Sequence, residues 1–600
     1  MTTDEKSSWL MHTPSSFHSP DVTSKEKEIN DDDEKAVKQK PGGWKCMPFI
    51  IGNETFERVA TTGLTANFTV LLVSRFHVGQ VAAANMSNIF SGTTNFAPLI
   101  GAFLSDAYLG RFRTLAYSSV ATLLGLMVLT LTTVVPKLQP PSCGTEEQLA
   151  GKCVGASRNQ LGVLILSLVL LSVGAAGVRP CSLPFGVDQF DRATAKGRRD
   201  LNSFFNWYYC TSTAGVMVAL TVIVYVQSNI SWPIGLAIPT GLMFLAIVLF
   251  FLGTRLYVHV EPEGSVFSGI IQVFVAATRK RSLPLPAPED VLLQEEALYN
   301  PGTKSDRITK LPLTLQFRFL NKAAIICEGE LKEDGSVANP WRLCAVQQVE
   351  EVKCLLRIVP IWASGIVCFV ALAQQWTFSV LQSLRMDRHL GPSFEIPPAS
   401  IGAIALLALS LFIPVYDRVI TPLARRVTGL EGGITVLQRQ GVGMVISAGS
   451  MVVAGLVERK RRESSWAQGG ADGMSPLSAL WLAPQLALMG VGEAFNAVGQ
   501  MEFYNREFPE QMQTLANALF YCSVAGANYI SSFMVAILQR NTSWLDNNIN
   551  LGRVDYFYYL IAAMGLLNFV YFVVCAHFYR YKGAPEAKLE REDDKKVVSP

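Results

Sequence analysis

The chain has 600 residues, 50% of them hydrophobic and only 16% charged, and its mean hydropathy is +0.28. A soluble protein of this length would carry more charge and split into several domains, so the composition describes a chain whose main solvent is lipid. The net charge of +3 is too small for this length to indicate a nucleic-acid partner.

Taken in chain order, the first segment is polar and strongly charged, as in "SKEKEINDDDEKAVKQK". It shows no cleavable signal peptide, and residues 1–43 read as a disordered cytosolic tail. About twelve apolar stretches long enough to cross a bilayer follow. Six are centred near Gly63, Phe96, Leu124, Val169, Met217 and Phe244, and six near Ile366, Leu407, Ser447, Leu488, Ala525 and Gly565. The expected architecture is an all-α polytopic membrane protein: a bundle of six helices over 44–257, a hydrophilic central loop with room for a lateral helix over 258–350, a second bundle over 351–581, and a cytosolic tail over 582–600. The halves echo each other. The second stretch ends in "GAFLSDAYLGRFRT" and the eighth in "FIPVYDRVITPLARR", each placing an Asp and an Arg at one membrane surface. Such internal symmetry is typical of secondary transporters, which bind substrate between the halves.

Basic clusters at Gly110–Arg113, Lys196–Arg199 and Ala424–Arg426 share a face with the central loop and both tails, which makes that face cytosolic by the positive-inside rule. "ERKRRE", Glu458 to Glu463, violates the rule unless the ninth helix extends into solvent. Cys143 and Cys153 share a loop on the opposite face and can pair as a disulfide in an oxidising compartment. The remaining cysteines and the scattered histidines show no metal-ligand spacing, and no nucleotide-binding glycine loop is present. No cofactor or metal is expected.

The intramembrane charges carry the functional signal. Glu54, Glu57 and Arg58 stand at i, i+3 and i+4 on the first helix, within about 100° of one face. A charge at the bilayer centre costs roughly 2.5–3.5 kcal/mol or more, so this face points into a wet cavity. The cluster is either a static fastening or a proton site, because two carboxylates cannot both be neutralised by one cation. Arg179, in "VGAAGVRPCSLPFG", lies deep in the fourth helix, as an ion-pair partner, a snorkelling residue or a substrate contact. Glu493 lies in the tenth, with Asn496 and Gln500 on its face at i+3 and i+7. In the seventh, "AQQWT" offers Gln374, Gln375 and Trp376 either as cavity lining or as packing.

These motifs carry a resemblance. "ETFER", "GAFLSDAYLGRFRT" and "SFFNWYY" resemble the proton-dependent oligopeptide transporter superfamily, and in particular its plant branch, the nitrate and peptide transporter family. "GWKCMPFIIGNETFE", "GVRPCSLPFGVDQFD", "FRFLNKAAI" and "VQQVEEVKC" are similar to the subgroup of phloem nitrate and glucosinolate or glucoside transporters, over about Gly43 to Tyr581. The resemblance implies a major facilitator fold working by alternating access. It implies proton coupling at Glu54, Glu57 and Arg58, a substrate contact at Arg179, and a gating salt bridge at Glu493; Asp106 and Arg111 belong with the gating residues. Thr114 stands where a nitrate transporter of the family is phosphorylated, which implies a regulatory kinase. Where that transporter has an anion-binding histidine, alignment through "AQQWTFSV" places Leu372, so nitrate bound in that way is not expected.

The expected function is proton symport of an anionic or glycosylated small organic solute, with nitrate carried weakly, and no enzymatic activity. Nitrate, oligopeptides or plant hormones are alternative cargoes of the same fold, and dipeptide competition would separate the peptide reading. A membrane sensor without transport is a third reading, which substrate-induced proton currents would exclude. The plasma membrane is the expected location, with the tonoplast as the alternative.

Overall fold

The computed structural model describes residues 42–141, 143, 153–190, 194–259, 266–285, 297–301, 311–392, 394–429, 433–470, 473–509, 512–579 and 581. All but a few residues of the two tails, and parts of the central loop, lie outside this set.

Six long helices build the first half: α1 (Met47–Ser74), α2 (Gln80–Leu104), α3 (Arg111–Val134), α4 (Arg158–Asp188), α5 (Ala195–Val218) and α6 (Trp232–Leu252). The central segment contributes the short amphipathic α7 (Val266–Arg279). The second half holds α8 (Val346–Ser383), α9 (Ala403–Val415), α10 (Val436–Gly469), α11 (Ala483–Glu507), α12 (Gln513–Asn541) and α13 (Val554–Phe578). Local signals set several starts. Ser157 and Gln160 form a reciprocal capping box on α4, Thr435 and Gln438 do so on α10, and a proline opens α1, α6 and α11, where its missing N–H costs nothing.

Among the described residues, nine helical spans are long and apolar enough to cross a membrane. The three long helices outside that group, α1, α2 and α11, carry Glu54, Glu57 and Arg58, then Asn95, then Glu493. Their polar interior groups are what lowers the apolarity of these three helices.

The echo between the halves has a structural counterpart. α2 runs on into a π-turn, Ser105–Leu109, and α9 into another, Tyr416–Ile420, each with its Asp at the second position. A Cβ on Gly101 of α2 would overlap the Ala176 carbonyl of α4, and one on Gly490 of α11 would overlap the Ala405 carbonyl of α9. In each half the second and fourth spans therefore touch backbone to backbone. Gly110, at φ +75°, breaks the helix between the π-turn and α3, a conformation glycine adopts without strain.

The halves are joined by hydrogen bonds that, among the described residues, run from the middle of the spans to the end away from the central loop. Thr377 on α8 donates to Asn88 on α2 at 3.1 Å, Thr93 meets Tyr529 on α12 at 3.1 Å, and Ser532 donates to Asn85. Farther out, Ser400 donates to the Leu220 carbonyl, Asn229 to the Glu395 carbonyl, and the Ile549 N–H to Gln80. This distal end also holds the joined Cys143–Cys153 pair, Cα atoms 5.8 Å apart, and the parallel pairing of Met386–Asp387 with Ser475–Ser478.

The segment "ERKRRE" sits near the distal end of α10, which at 34 residues is about 51 Å long, well beyond a hydrocarbon core of about 30 Å. The helix does extend, but its charges are not simply solvated. Glu458 and Arg461 are completely buried, paired at 2.8 Å, and held by Gln382 of α8 and by Asn550. Lys460 lies over the Trp481 ring, 3.8 Å from its centroid.

Candidate functional site

The site is built where α1, α4 and α5 converge. The Arg58 guanidinium meets Glu54 at 2.8 Å. Ser182 of α4 donates to the other Glu54 oxygen at 2.5 Å, and Tyr208 of α5 lies against Glu54 and Ser182. Glu54 is thus held from three helices and is 2% exposed. Glu57 is also buried but forms no ion pair among the described residues. Its charged neighbours are Glu54, Arg58 and Arg179. A buried carboxylate without a salt-bridge partner is the one for which a proton is the natural counter-charge.

Arg179 donates to the Asn95 side-chain oxygen at 2.8 Å and to the Thr94 carbonyl at 3.3 Å, both on α2. Its acceptors are neutral, and among the described residues no carboxylate lies within ion-pair distance. Tyr521, from α12 in the opposite half, is close enough to Arg58 and Arg179 to act on both charges. Two carboxylates and two guanidiniums sum to zero here. A proton on Glu57 leaves one unit of positive charge, and Arg179 is where an anion can compensate it.

The residues expected together in the second half are spread around their helix. Gln375 donates to Ser450 of α10 at 2.5 Å and is fully buried inside the second bundle. Trp376 packs against the turn at Gly402. Gln374 is fully buried, with neither amide atom partnered among the described residues. Leu372 lines a water-sized space with Glu493, Asn496, Cys368 and Ser447. Gln374, Gln375 and Trp376 are successive positions about 100° apart and so span about 200° of the helix; Gln375 and Trp376 take the packing alternative of the two readings of "AQQWT". Asn496 contacts the Cys368 thiol, and Gln500 abuts Gly365, so the face they share is turned to α8. Glu493 forms no salt bridge in this conformation among the described residues, and one of its oxygens is unpartnered.

Arg111 pairs with Asp188, at 2.6 and 2.5 Å to its two oxygens, while Asp106 lies nearby in the π-turn. The α3–α4 connection at the loop end is therefore Arg111–Asp188. Thr114 is 4% exposed, and its hydroxyl donates to the Gly110 carbonyl at 2.9 Å. A kinase would reach this hydroxyl only by unpacking the start of α3. Ser182, Tyr208, Asn95, Tyr521 and Asp188 escaped the sequence reading. Ser182 and Asn95 were detectable as polar residues inside apolar runs; the others depend on tertiary packing. No group of three His, Cys, Asp or Glu that could hold a metal is present among the described residues.

Two bundles of long apolar helices, closed at one end over buried charges, define a polytopic secondary transporter. Residues 112–551 match the POT family model, PTR2, and with the relatives below this places the chain in the POT family. It is a proton-coupled transporter, not an enzyme. "Protein NRT1/ PTR FAMILY 2.13" of Arabidopsis thaliana is 52% identical over 577 residues, covering 94% of this chain and 92% of that one. "Protein NRT1/ PTR FAMILY 2.12" of the same plant is 47% identical, covering 92% and 95%. Among solved structures, that of an auto-inhibited POT family peptide transporter superposes with a TM-score of 0.66 at 22% identity, covering 90% of this chain and 99% of the other. PepTSo gives 0.65 at 20%, covering 89% and 98%. At these identities the structures establish the fold.

Proposed function

We propose that this chain is a proton symporter of a small organic solute that is anionic or glycosylated, such as a glucosinolate or another glucoside, working by alternating access. The observation that carries the reading is Arg179, a cation bonded to neutral oxygens beside a carboxylate, Glu57, that has no ion pair among the described residues. Protonation of Glu57 and arrival of an anion at Arg179 each restore the charge balance the other disturbs, so each favours the other. Drawing a monoanion into a negative-inside compartment costs roughly 2.3 kcal/mol per 100 mV. One proton cancels that charge, and a second would let the potential drive uptake. A single cation without a carboxylate suits one negative charge or a polar neutral sugar better than a multiply charged phosphate.

Leu372 supports the organic reading over nitrate. It can neither donate a hydrogen bond nor carry charge, and in the water-sized space it lines, Met451 and Met489 stand beside the polar Glu493 and Asn496. The face carrying the central loop and tails is cytosolic in this reading, the membrane is the plasma membrane, and the conformation is closed toward the outside. The test is an uptake screen in oocytes over nitrate, dipeptides, hormones, organic anions and glucosides at acidic and neutral external pH, read by mass spectrometry. Concentrative, acid-stimulated uptake of an organic anion or glucoside is expected. Uptake confined to dipeptides or to micromolar nitrate would overturn the substrate class.

A further inference from the structure

The central segment presents an unusual surface for a loop. In "TLQFRFL", alternate residues Leu315, Phe317 and Phe319 are 49%, 37% and 56% exposed. Phe317 adopts φ +49°, a left-handed conformation that side-chain-bearing residues rarely take, so its outward ring is held against backbone preference. The segment is fixed from beneath: Glu350 accepts from the Thr314 N–H at 3.0 Å and from its hydroxyl at 2.8 Å, and the buried Lys353 bonds both Glu350 and the Thr314 carbonyl. Three large apolar side chains are thus displayed by a rigid support.

Beside Phe317 runs a groove of about 410 Å³ between this segment, α8 and the end of α13. Its walls are Phe317, Leu356, Pro360, Val574 and Phe578, and Arg357 stands among them. Arg357 Nη2 donates to the Thr314 hydroxyl at 2.6 Å and lies 3.6 Å from Glu350, a carboxylate it shares with Lys353, so two cations face one anion and one positive charge is left over. The Arg357 Nε is without a partner among the described residues. The groove is continuous with the outer face of α13, where Leu567, Val570, Val574 and Phe578 are bare. On a membrane-spanning helix that face contacts acyl chains. An occupant must enter from lipid, be long and apolar, and end in an acceptor for a guanidinium.

We propose that this groove binds one phospholipid with an anionic headgroup, its acyl chain along Leu356, Pro360, Val574 and Phe578 and its phosphodiester at Arg357. The lipid bridges the central loop, α8 and α13, and so ties the loop to the second bundle. The site is separate from the Glu57–Arg179 cluster, and its test reads binding, so it stands or falls independently of the substrate.

The experiment uses the full chain, purified, stripped in detergent and titrated with palmitoyl-oleoyl phosphatidylglycerol or with the phosphatidylcholine of the same chains. Native mass spectrometry counts the bound lipid. One phosphatidylglycerol should be retained about tenfold more tightly than phosphatidylcholine. Val574→Trp, which fills the groove, should abolish that retained lipid. Val570→Trp, on the same bare face but outside the groove, should keep it, and Arg357→Gln should remove the headgroup preference while chain binding persists. Equal loss in both tryptophan variants, the mark of general annular lipid, would overturn the site. Absence of any headgroup preference in the unmodified protein, which requires no variant to fold, would overturn the role of Arg357.

Discussion

Glu54 and Glu57 stand three residues apart on α1, yet their surroundings divide the work between them. Glu54 is fixed by Arg58, Ser182 and Tyr208, whereas Glu57 has no ion pair among the described residues. Glu57→Gln is therefore expected to abolish proton-driven accumulation while the protein still reaches the membrane, because the group can no longer change charge. Uptake that remained concentrative under acidic external conditions would assign the proton elsewhere. Arg179→Ala removes a charge-assisted contact worth roughly 1.5–3 kcal/mol, so at about 1.4 kcal/mol per tenfold the affinity for an anion should fall roughly ten- to a hundredfold. A neutral glucoside should lose less, and equal loss of both, read from concentration-dependent uptake, would make Arg179 a structural residue. The charges themselves were legible in the sequence because each is costly in lipid. Which carboxylate is committed was not legible, since Ser182 and Tyr208 come from other helices. The choice between lining and packing at Gln374, Gln375 and Trp376 was open for a related reason: the local sequence does not say how α8 is rotated between α10, α11 and α2.

At the scale of elements, the segment "ERKRRE" shows how a charge run conceals structure. The spacing of Glu458 and Arg461, one turn apart, allowed a pair, but a solvated helix end was the reading the composition favoured. Burial follows from Asn550, almost ninety residues downstream, folding over the pair together with Gln382. Glu458→Gln leaves the buried Arg461 uncompensated, a change that typically costs about 3–5 kcal/mol, and should lower the thermal midpoint of the purified protein clearly. Arg459→Ala breaks the neighbouring Arg459–Glu463 pair, in which both side chains are 66% exposed, and should leave the midpoint in place. Scanning fluorimetry of the two variants side by side distinguishes a buried clamp from a solvated charge run. The paired π-turns at Ser105–Leu109 and Tyr416–Ile420 are the opposite case. Their Asp-bearing motifs were visible as an internal echo, while the widened turn itself has no sequence signature of its own.

Across the whole molecule, the outer hydrogen bonds that join the halves form a seal at the distal end, and a solute moving between the bundles must break it. The seal is made of modest contacts. Asn229 reaches the Glu395 carbonyl at 3.3 Å, Tyr225 stacks on Phe394 with ring centroids 6.0 Å apart, and Ser400 donates to the Leu220 carbonyl at 2.8 Å. Neutral hydrogen bonds of this kind contribute about 0.5–1.5 kcal/mol each, so a few of them hold the end closed without making its opening prohibitive, as alternating access requires. The ion pairs, by contrast, lie within one half: the buried Glu458–Arg461 in the second bundle, the partly exposed Arg111–Asp188 in the first, and the buried Lys353–Glu350 at the start of α8. The strong contacts thus lie inside each bundle, and the weaker ones lie between the bundles. Cysteines placed together at Asn229 and Glu395 should therefore cross-link under mild oxidation and arrest uptake, and a reductant should restore it. The unmodified protein, carrying only its own Cys143–Cys153 bond at this end, provides the control for both treatments. Uptake that continued at full rate with the cross-link formed, as verified by mass spectrometry of the peptides, would mean that the distal contacts do not open during transport.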